Sequence, residues 1–278
     1  MVFNMKKLKF NAAVIWYNPN RAAIEQLKIL SNVFDKVYVY DNSKYSNRSN
    51  IIDYDNIQYF YNGQNEGISI ALNNVIYRCC DADFLFAVDQ DTEIKEKQIF
   101  ELKKYIVQNY SDDIAIYCPY IFFNFARSFK KRVETVKFTI TSCSMINTSI
   151  FKKIGGYDNN IFLDGVDHEY CFRVNSYGYK IIRLNYIKVK QNLGTGKKNI
   201  FGSYIHSPIR NYYIFYNRMY FINKYPNYFY GKRKIKKLYL AEIKQALGIL
   251  LSEDEKKEKL KLLLQARKDY FKKDKRKD

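Results

Sequence analysis

Phe84-Leu85-Phe86-Ala87-Val88-Asp89-Gln90-Asp91 is the stretch on which the fold turns. Apolar residues running straight into two carboxylates read as a strand buried on both faces, ending where polar groups can meet a ligand. The same form recurs upstream. Residues 12–17 are an apolar run closed by Asn18-Pro19-Asn20, residues 36–40 end at Asp41-Asn42-Ser43, and Ile57–Tyr61 is a third strand. Between them, residues 21–34 place Ala23, Leu27, Leu30 and Phe34 at helical spacing, and residues 67–80 read as a second helix. Strands alternating with helices predict an α/β fold with a mostly parallel central sheet covered on both faces. Ligands of such sheets bind beyond the carboxyl ends of the strands. Asp41, Asn65, Asp89 and Asp91 all fall at or near those ends.

Composition narrows the partners. With 278 residues and 47% apolar content the chain can build a sizeable core, which excludes wholesale disorder. The formal charge is +19, and about half of that excess lies beyond residue 230. Five cysteines (Cys79, Cys80, Cys118, Cys143 and Cys171) show no CxxC pair, so they read as reduced core thiols of a cytosolic protein. Residues 1–10 are too short and too charged for a signal peptide. No run approaches the eighteen or so apolar residues of a membrane span, so membrane contact is expected to be peripheral.

Further along, residues 114–118, 138–146 and 180–189 read as strands, and 149–154 as a short helix stopped by Gly155-Gly156. Residues 166–177 are a helix, 191–203 a glycine-containing loop, and 208–225 a strongly aromatic helix. After Pro226 the composition turns to lysine-rich helical repeats, with Ser252 as cap of the last helix. The expected division is therefore 1–226 as the main domain and 227–278 as a basic amphipathic helical extension.

Two clusters can carry chemistry. Asp89 and Asp91 suit a hard divalent ion shared with a diphosphate, since Mn²⁺ and Mg²⁺ prefer oxygen ligands. A polar turn after a strand is the plainer account of the same residues. The second cluster is Phe162-Leu163-Asp164-Gly165-Val166-Asp167-His168-Glu169, following Gly155-Gly156-Tyr157-Asp158. Acids in a first helical turn are ordinary helix chemistry, but three within six positions in an apolar setting exceed it. A carboxylate held there can deprotonate an attacking hydroxyl. His168 lies between acids and reads as solvent-facing, and His206, before Ser207-Pro208, as part of a helix cap. Gly194-Thr195-Gly196-Lys197-Lys198 lacks the spacing of a phosphate-binding P-loop and reads instead as a basic lid over a diphosphate.

In order and spacing these motifs resemble the family 2 inverting glycosyltransferases, particularly the bacterial rhamnosyltransferase-like group. The residues that carry the resemblance are Asp41-Asn42-Ser43, Asn65-Glu66-Gly67 through Ala71 and Asn73, Asp89-Gln90-Asp91, Gly155 through Glu169, and the run from Pro208 through Arg210 to Tyr213 with Asn217-Arg218. The resemblance implies a GT-A fold, the Rossmann-like nucleotide-diphospho-sugar transferase architecture, covering roughly residues 10–225. It also implies roles. Asp41 would bind the donor base, and Asn42, Asn65, Gly67, Asn73 and Arg210 would complete the donor pocket. Asp91 would hold Mn²⁺ or Mg²⁺ with Asp89 in support, Asp167 would be the general base, and Asp164, His168 and Glu169 would shape the acceptor side. Related proteins carry a His-x-x-Gly element after the base. Here it reads Gln191-Asn192-Leu193-Gly194, which leaves Lys197, Lys198 or His206 to take over.

The expected activity is hexosyl transfer from a dTDP- or UDP-linked donor, rhamnose first, to a surface-polysaccharide or lipid-linked saccharide. A non-catalytic carbohydrate- or nucleotide-sugar-binding protein on the same scaffold is the alternative. A sugar nucleotidyltransferase would need a glycine-rich basic loop where Tyr17-Asn18-Pro19-Asn20 stands. The basic tail carries no recognisable nucleic-acid module, so no nucleic acid is expected. Its apolar spacing with interleaved lysines suits anionic lipid, which places the protein on the cytoplasmic face of the plasma membrane.

Overall fold

The computed structural model describes residues 7–51, 54–79, 81–123, 126–191, 196–225 and 234–274. The chain divides into two compact units, Met1–Asn160 with Val166–Asn192, and Ile161–Gly165 with Leu193–Asp278. The first unit is built on β1 (Phe10–Trp16), β2 (Val37–Asp41), β3 (Ile57–Tyr61), β4 (Phe84–Asp89), β5 (Thr92–Glu93), β6 (Ile114–Phe122), β7 (Val133–Val136), β8 (Ser144–Asn147) and β9 (Lys180–Gln191). They form one sheet in the order β3-β2-β1-β4-β8-β6-β9-β5, with β7 added alongside β9. β1, β2, β3 and β4 run parallel, and β8 enters antiparallel between β4 and β6.

The apolar runs explain the centre of this sheet. β2 is buried along its whole length, and β1 and β4 nearly so, so each lacks the polar alternation of a half-exposed strand. Around the sheet lie α1 (Arg21–Val33), α2 (Gly67–Asn74), α3 (Glu96–Gln108), α4 (Thr148–Lys153) and α5 (Val166–Ser176). Asn20 caps α1 through the Ala23 N–H, and Ala23, Leu27 and Leu30 face the core as their spacing predicts. α3 went unread in the sequence, although Ile99, Leu102 and Ile106 form its buried stripe.

Two expectations need correction. The strand predicted over 138–146 shrinks to Ser144–Asn147. Thr141 and Ser142 stay outside the sheet, and Cys143 takes the left-handed conformation at φ 58°. Ser252 does not cap the last helix. It closes the preceding one, α7 (Lys234–Ser252), where its hydroxyl donates to the Gly248 carbonyl at 3.0 Å. The last helix, α8, begins at Lys256 and runs to Asp274.

The aromatic helix α6 (Pro208–Lys224) groups with the C-terminal helices, not with the sheet. Phe215 and Met219 form a core with Ile249, Leu263, Ala266 and Tyr270, so the apolar face of α6 is used inside the second unit. The break expected at Pro226 lies outside the described residues. A buried ion pair joins Lys259 to Glu253 at 3.0 Å, with 2% and 4% of the side chains exposed. Asn199 donates to the same carboxylate at 3.1 Å. Gly248 is required by close approach, since a Cβ there would lie 2.5 Å from Asn199 Nδ2.

Cys118, Cys143 and Cys171 are buried free thiols, as expected. Cys80 and Asn192–Thr195 of the predicted loop lie outside the described residues.

Candidate active site

β4 delivers Asp89 to its carboxyl end, and Asp91 follows, exposed. The Asp89 carboxyl is pushed up to about 7, first by burial and then by the negative charges of Asp91 and Asp167. Hydrogen bonds from Gln191 and Ser142 pull the other way. Asp91 and Asp167, distant in sequence, are thus brought to bear on one carboxylate. Asp167 sits in the first turn of α5, where its Oδ1 accepts the Thr141 N–H at 2.9 Å and the Thr141 hydroxyl.

Side chains that sequence reading missed hold this cluster. The Asp89 N–H donates to Ser142 Oγ at 3.0 Å, and Ser142 bonds Thr92 at 2.8 Å. Gln26 from α1 donates to the Thr92 carbonyl. Gln90, the middle of Asp-Gln-Asp, pairs its amide with both backbone groups of Tyr17, at 2.8 and 3.0 Å. The irregular path of Thr141-Ser142-Cys143 is what makes the first of these contacts. An apolar-pattern reading takes that segment for strand and misses it.

Gln191 stands at the end of β9, opposite Thr92. Its Nε2 donates to the Asp89 carboxylate at 3.2 Å, and its buried Oε1 has no hydrogen-bond partner. An orphaned amide oxygen beside mutually repelling carboxylates is a hard-oxygen set, the kind that Mg²⁺ or Mn²⁺ accepts. A cation would also relieve the repulsion that raises Asp89. Among the described residues no three His, Cys, Asp or Glu side chains cluster as a complete ion site. Mg²⁺ commonly takes only one or two protein carboxylates and completes its shell with phosphate oxygens and water. The residues present therefore fit such an ion.

The predicted donor residues fall into two groups. Asp41 is fully buried. Its Oδ1 accepts the Ser43 N–H at 2.9 Å, and its Oδ2 accepts the Asn47 N–H and amide at 3.0 Å each and the Tyr59 hydroxyl. Burial would raise this carboxyl, but the hydrogen bonds of Ser43, Tyr59 and Asn47 outweigh it and hold the group below the usual value. Asn42 links β2 to the start of α2, donating to the Gly67 carbonyl and accepting the Glu66 N–H, both at 3.2 Å. Asn65 is exposed and accepts the Gly67 N–H at 3.0 Å.

Asn73 is committed to the chain. Its amide accepts the Tyr157 N–H at 2.9 Å and donates to the Tyr157 carbonyl and Asn159 at 2.8 and 2.7 Å. Gly156 fits against it at φ 67°, where a Cβ would lie 2.8 Å from Asn73 Oδ1. Both groups of the Asn73 amide are thus bonded within the fold.

On the predicted acceptor side, Glu169 is paired within the fold. It is fully buried, and Arg173 donates to both of its oxygens at 2.8 and 2.7 Å. His168 is exposed and stacks on Phe138 at 4.1 Å. Desolvation lowers its pKa, against the raising influence of Asp167. Asp164 and Arg210 belong to the second unit, where they form a bidentate pair at 2.5 and 3.1 Å. His206 and Lys198 are in that unit too. Burial and Arg210 lower the His206 pKa, and Lys198 stands over the Tyr204 ring at 5.0 Å.

A sheet whose parallel strands end in an acidic cluster is the arrangement of the GT-A fold, and solved structures share that fold. S. aureus TarS 1–349 matches over 92% of this chain and 69% of its own, with 16% identity and a TM-score of 0.54. GalNAc-T7, solved with UDP, GalNAc and Mn²⁺, matches 75% of this chain but only 47% of its own length, at 13% identity and a TM-score of 0.53. Residues 21–158 match glycosyl transferase family 2, and the chain carries a domain of that family. The dTDP-rhamnosyl transferase RfbF of Shigella flexneri is 27% identical over 229 residues, covering 73% of this chain and 76% of that protein. The protein is a glycosyltransferase. The family match takes in Asp41, Asn65, Asp89 and Asp91, and ends before Asp167 and Gln191.

Proposed function

We propose that this glycosyltransferase moves a hexose, rhamnose first, from a dTDP- or UDP-linked donor to a saccharide hydroxyl with inversion. The observation that carries this reading is the convergence of Asp91 and Asp167 on Asp89. In the proposed reaction Asp167 takes the acceptor proton, and the acceptor oxygen attacks the anomeric carbon opposite the diphosphate. The new C–O bond forms as the bond to the diphosphate breaks. Thr141 orients the base, and burial around Asp89 limits competing water. A Mn²⁺ or Mg²⁺ held by Asp91 and Asp89, with Gln191 beside them, would supply Lewis-acid stabilisation of the leaving diphosphate. Similarity to a dTDP-rhamnosyl transferase supports the donor, and a TarS structure with UDP-GlcNAc supports UDP as the next candidate.

Thermal unfolding tests the donor and the ion together. Native-state ligand at 100 times its Kd stabilises by about 2.7 kcal/mol, which for a chain of this size raises Tm by roughly 5–10 °C. The expected order is dTDP with Mn²⁺ or Mg²⁺ above UDP with the same ions, with most of the shift lost in EDTA or in Asp91→Asn. No shift with either nucleotide would remove the donor reading. Glutamine in place of histidine at 191 favours one other outcome, a binding protein on the same scaffold. That outcome predicts ligand shifts without any release of nucleoside diphosphate.

The reading extends to an anionic membrane carrying a lipid-linked acceptor. No described helix is long and apolar enough to cross a membrane. On α7, however, Leu240, Ile243, Leu247, Leu250 and Leu251 are 40–62% exposed along one stripe, with Lys244 among them. Apolar exposure flanked by lysine is the chemistry of an interfacial helix. The intact protein should sediment with phosphatidylglycerol vesicles at low salt and less at high salt, and Ile243→Glu with Leu250→Glu should release it. No sedimentation with anionic vesicles removes the membrane claim.

A further inference from the structure

β3 is the sheet edge, and one face of β2 and β3 is an aromatic strip. Tyr40 and Phe60 are opposite in register with ring centroids 6.3 Å apart, and Tyr38 lies 6.4 Å from Phe60. Strand alternation turns Asp41 and Tyr59 to the other face, where their side chains meet. On the Tyr40 side, a cavity of about 490 Å³ lies between this strip and α2. That volume is in the usual range of small-molecule sites.

The cavity combines apolar faces with planar polar groups. Tyr40 and Phe60 supply rings, while Asn62, Glu66 and Arg78 supply an amide, a carboxylate and a guanidinium. The network is ordered: the Tyr40 hydroxyl donates to Glu66 and accepts from Asn74 at 2.9 Å. Burial, and then the Glu66 hydrogen bond, push that phenol up to about 12, so it stays protonated. At the wall, α2 widens into a π-turn over Val75–Cys79, a geometry frequent at functional sites. None of these groups takes part in the reaction proposed above. Glu66 sits between Asn65 and Gly67, yet its carboxylate turns to Tyr40.

A pyranose ring matches this lining. Its C–H face packs on aromatic rings, and its vicinal hydroxyls pair with planar amide, carboxylate and guanidinium groups. One acid and one base at the rim leave the cavity near neutrality, which disfavours a phosphate or a polyanion. We propose that this cavity is a second saccharide-binding site, holding a neutral pyranose of the acceptor chain away from the carboxylate cluster. The acceptor assignment rests on the transferase reading given above.

The test titrates the full chain, without nucleotide or added cation, against a rhamnose trisaccharide, maltotriose and cellotriose, followed by saturation-transfer NMR. At least one should bind. Ile70→Trp, which fills the cavity, and the exposed rim pair Asn62→Ala with Arg78→Ala should each weaken that binding at least tenfold. Both should keep the wild-type Tm shift with dTDP and Mn²⁺. The site is overturned by binding of none of the three sugars, by undiminished binding in either variant, or by displacement of the sugar by dTDP or UDP. Donor turnover is assayed separately on the same proteins. Its absence alongside cavity-dependent sugar binding would sink the transferase reading and leave the saccharide site standing.

Discussion

Asp167→Asn should lower nucleotide-sugar turnover by about 10²–10⁴-fold, the range that a positioned general base contributes, with donor binding retained. The substitution is informative because the position is over-determined. Thr141 donates its backbone N–H, at 2.9 Å, and its hydroxyl to Asp167 Oδ1. An asparagine Oδ1 accepts both, so the first turn of α5 keeps its geometry. The amide cannot take up the acceptor proton. Removing one negative charge near Asp89 also takes away part of what raises that carboxyl, so Asp89 ionises more readily and stays available to a cation. Release of nucleoside diphosphate measures turnover, and the Tm shift with dTDP and Mn²⁺ measures binding. Wild-type turnover in this variant would move the base elsewhere, with Asp164 the next acid to test. Loss of both turnover and ligand binding would make Asp167 a structural residue.

Much of this site could be read from the sequence because its backbone obeys a simple rule. Asp41, Asp89 and Asp91 end apolar runs, and apolar runs become the central strands, whose ends carry these carboxylates. What could not be read is which polar side chains the chain uses for itself. Asn73 and Glu169 stand beside motif residues and carry suitable groups, so in the sequence both read as ligand-binding. Asn73 braces a turn 84 positions away, and nothing in a single sequence announces that pairing. Glu169 was more legible, since Arg173 lies four residues on, the spacing at which helical side chains meet. Thr141 and Ser142 were hidden for the opposite reason. Their neighbours Thr139, Ile140, Cys143 and Met145 continue a β-like pattern, and only the positive φ at Cys143 reveals the departure. The aromatic residues of α6 enter the core of the second unit, a choice their spacing alone does not make.

Glu169→Ala should be among the most destabilising single changes in the first unit, and it separates two accounts of the residue. The Glu169 side chain is 0% and Arg173 14% exposed, with the guanidinium bound to both carboxylate oxygens. Arg173 also donates to the Ile154 carbonyl at 2.7 Å and to the Gly156 carbonyl. It therefore ties the carboxylate to the turn that Asn73 holds from the other side. Deleting one partner of a buried pair leaves the other charge unpaired, which costs about 3–5 kcal/mol. For a unit of this size that is a Tm loss of roughly 10 °C. Glu169→Gln should lose less, because its Oε1 still accepts one Arg173 bond, although its amide nitrogen then faces the second Arg173 donor. Glu169→Leu with Arg173→Met should recover part of the loss by removing both charges, but not all of it, since two carbonyls lose their donor. Urea and thermal unfolding of the three variants give the order. If Glu169 instead served an acceptor sugar, Glu169→Ala would keep the wild-type Tm and raise only the acceptor KM, and the buried pair would contribute nothing measurable.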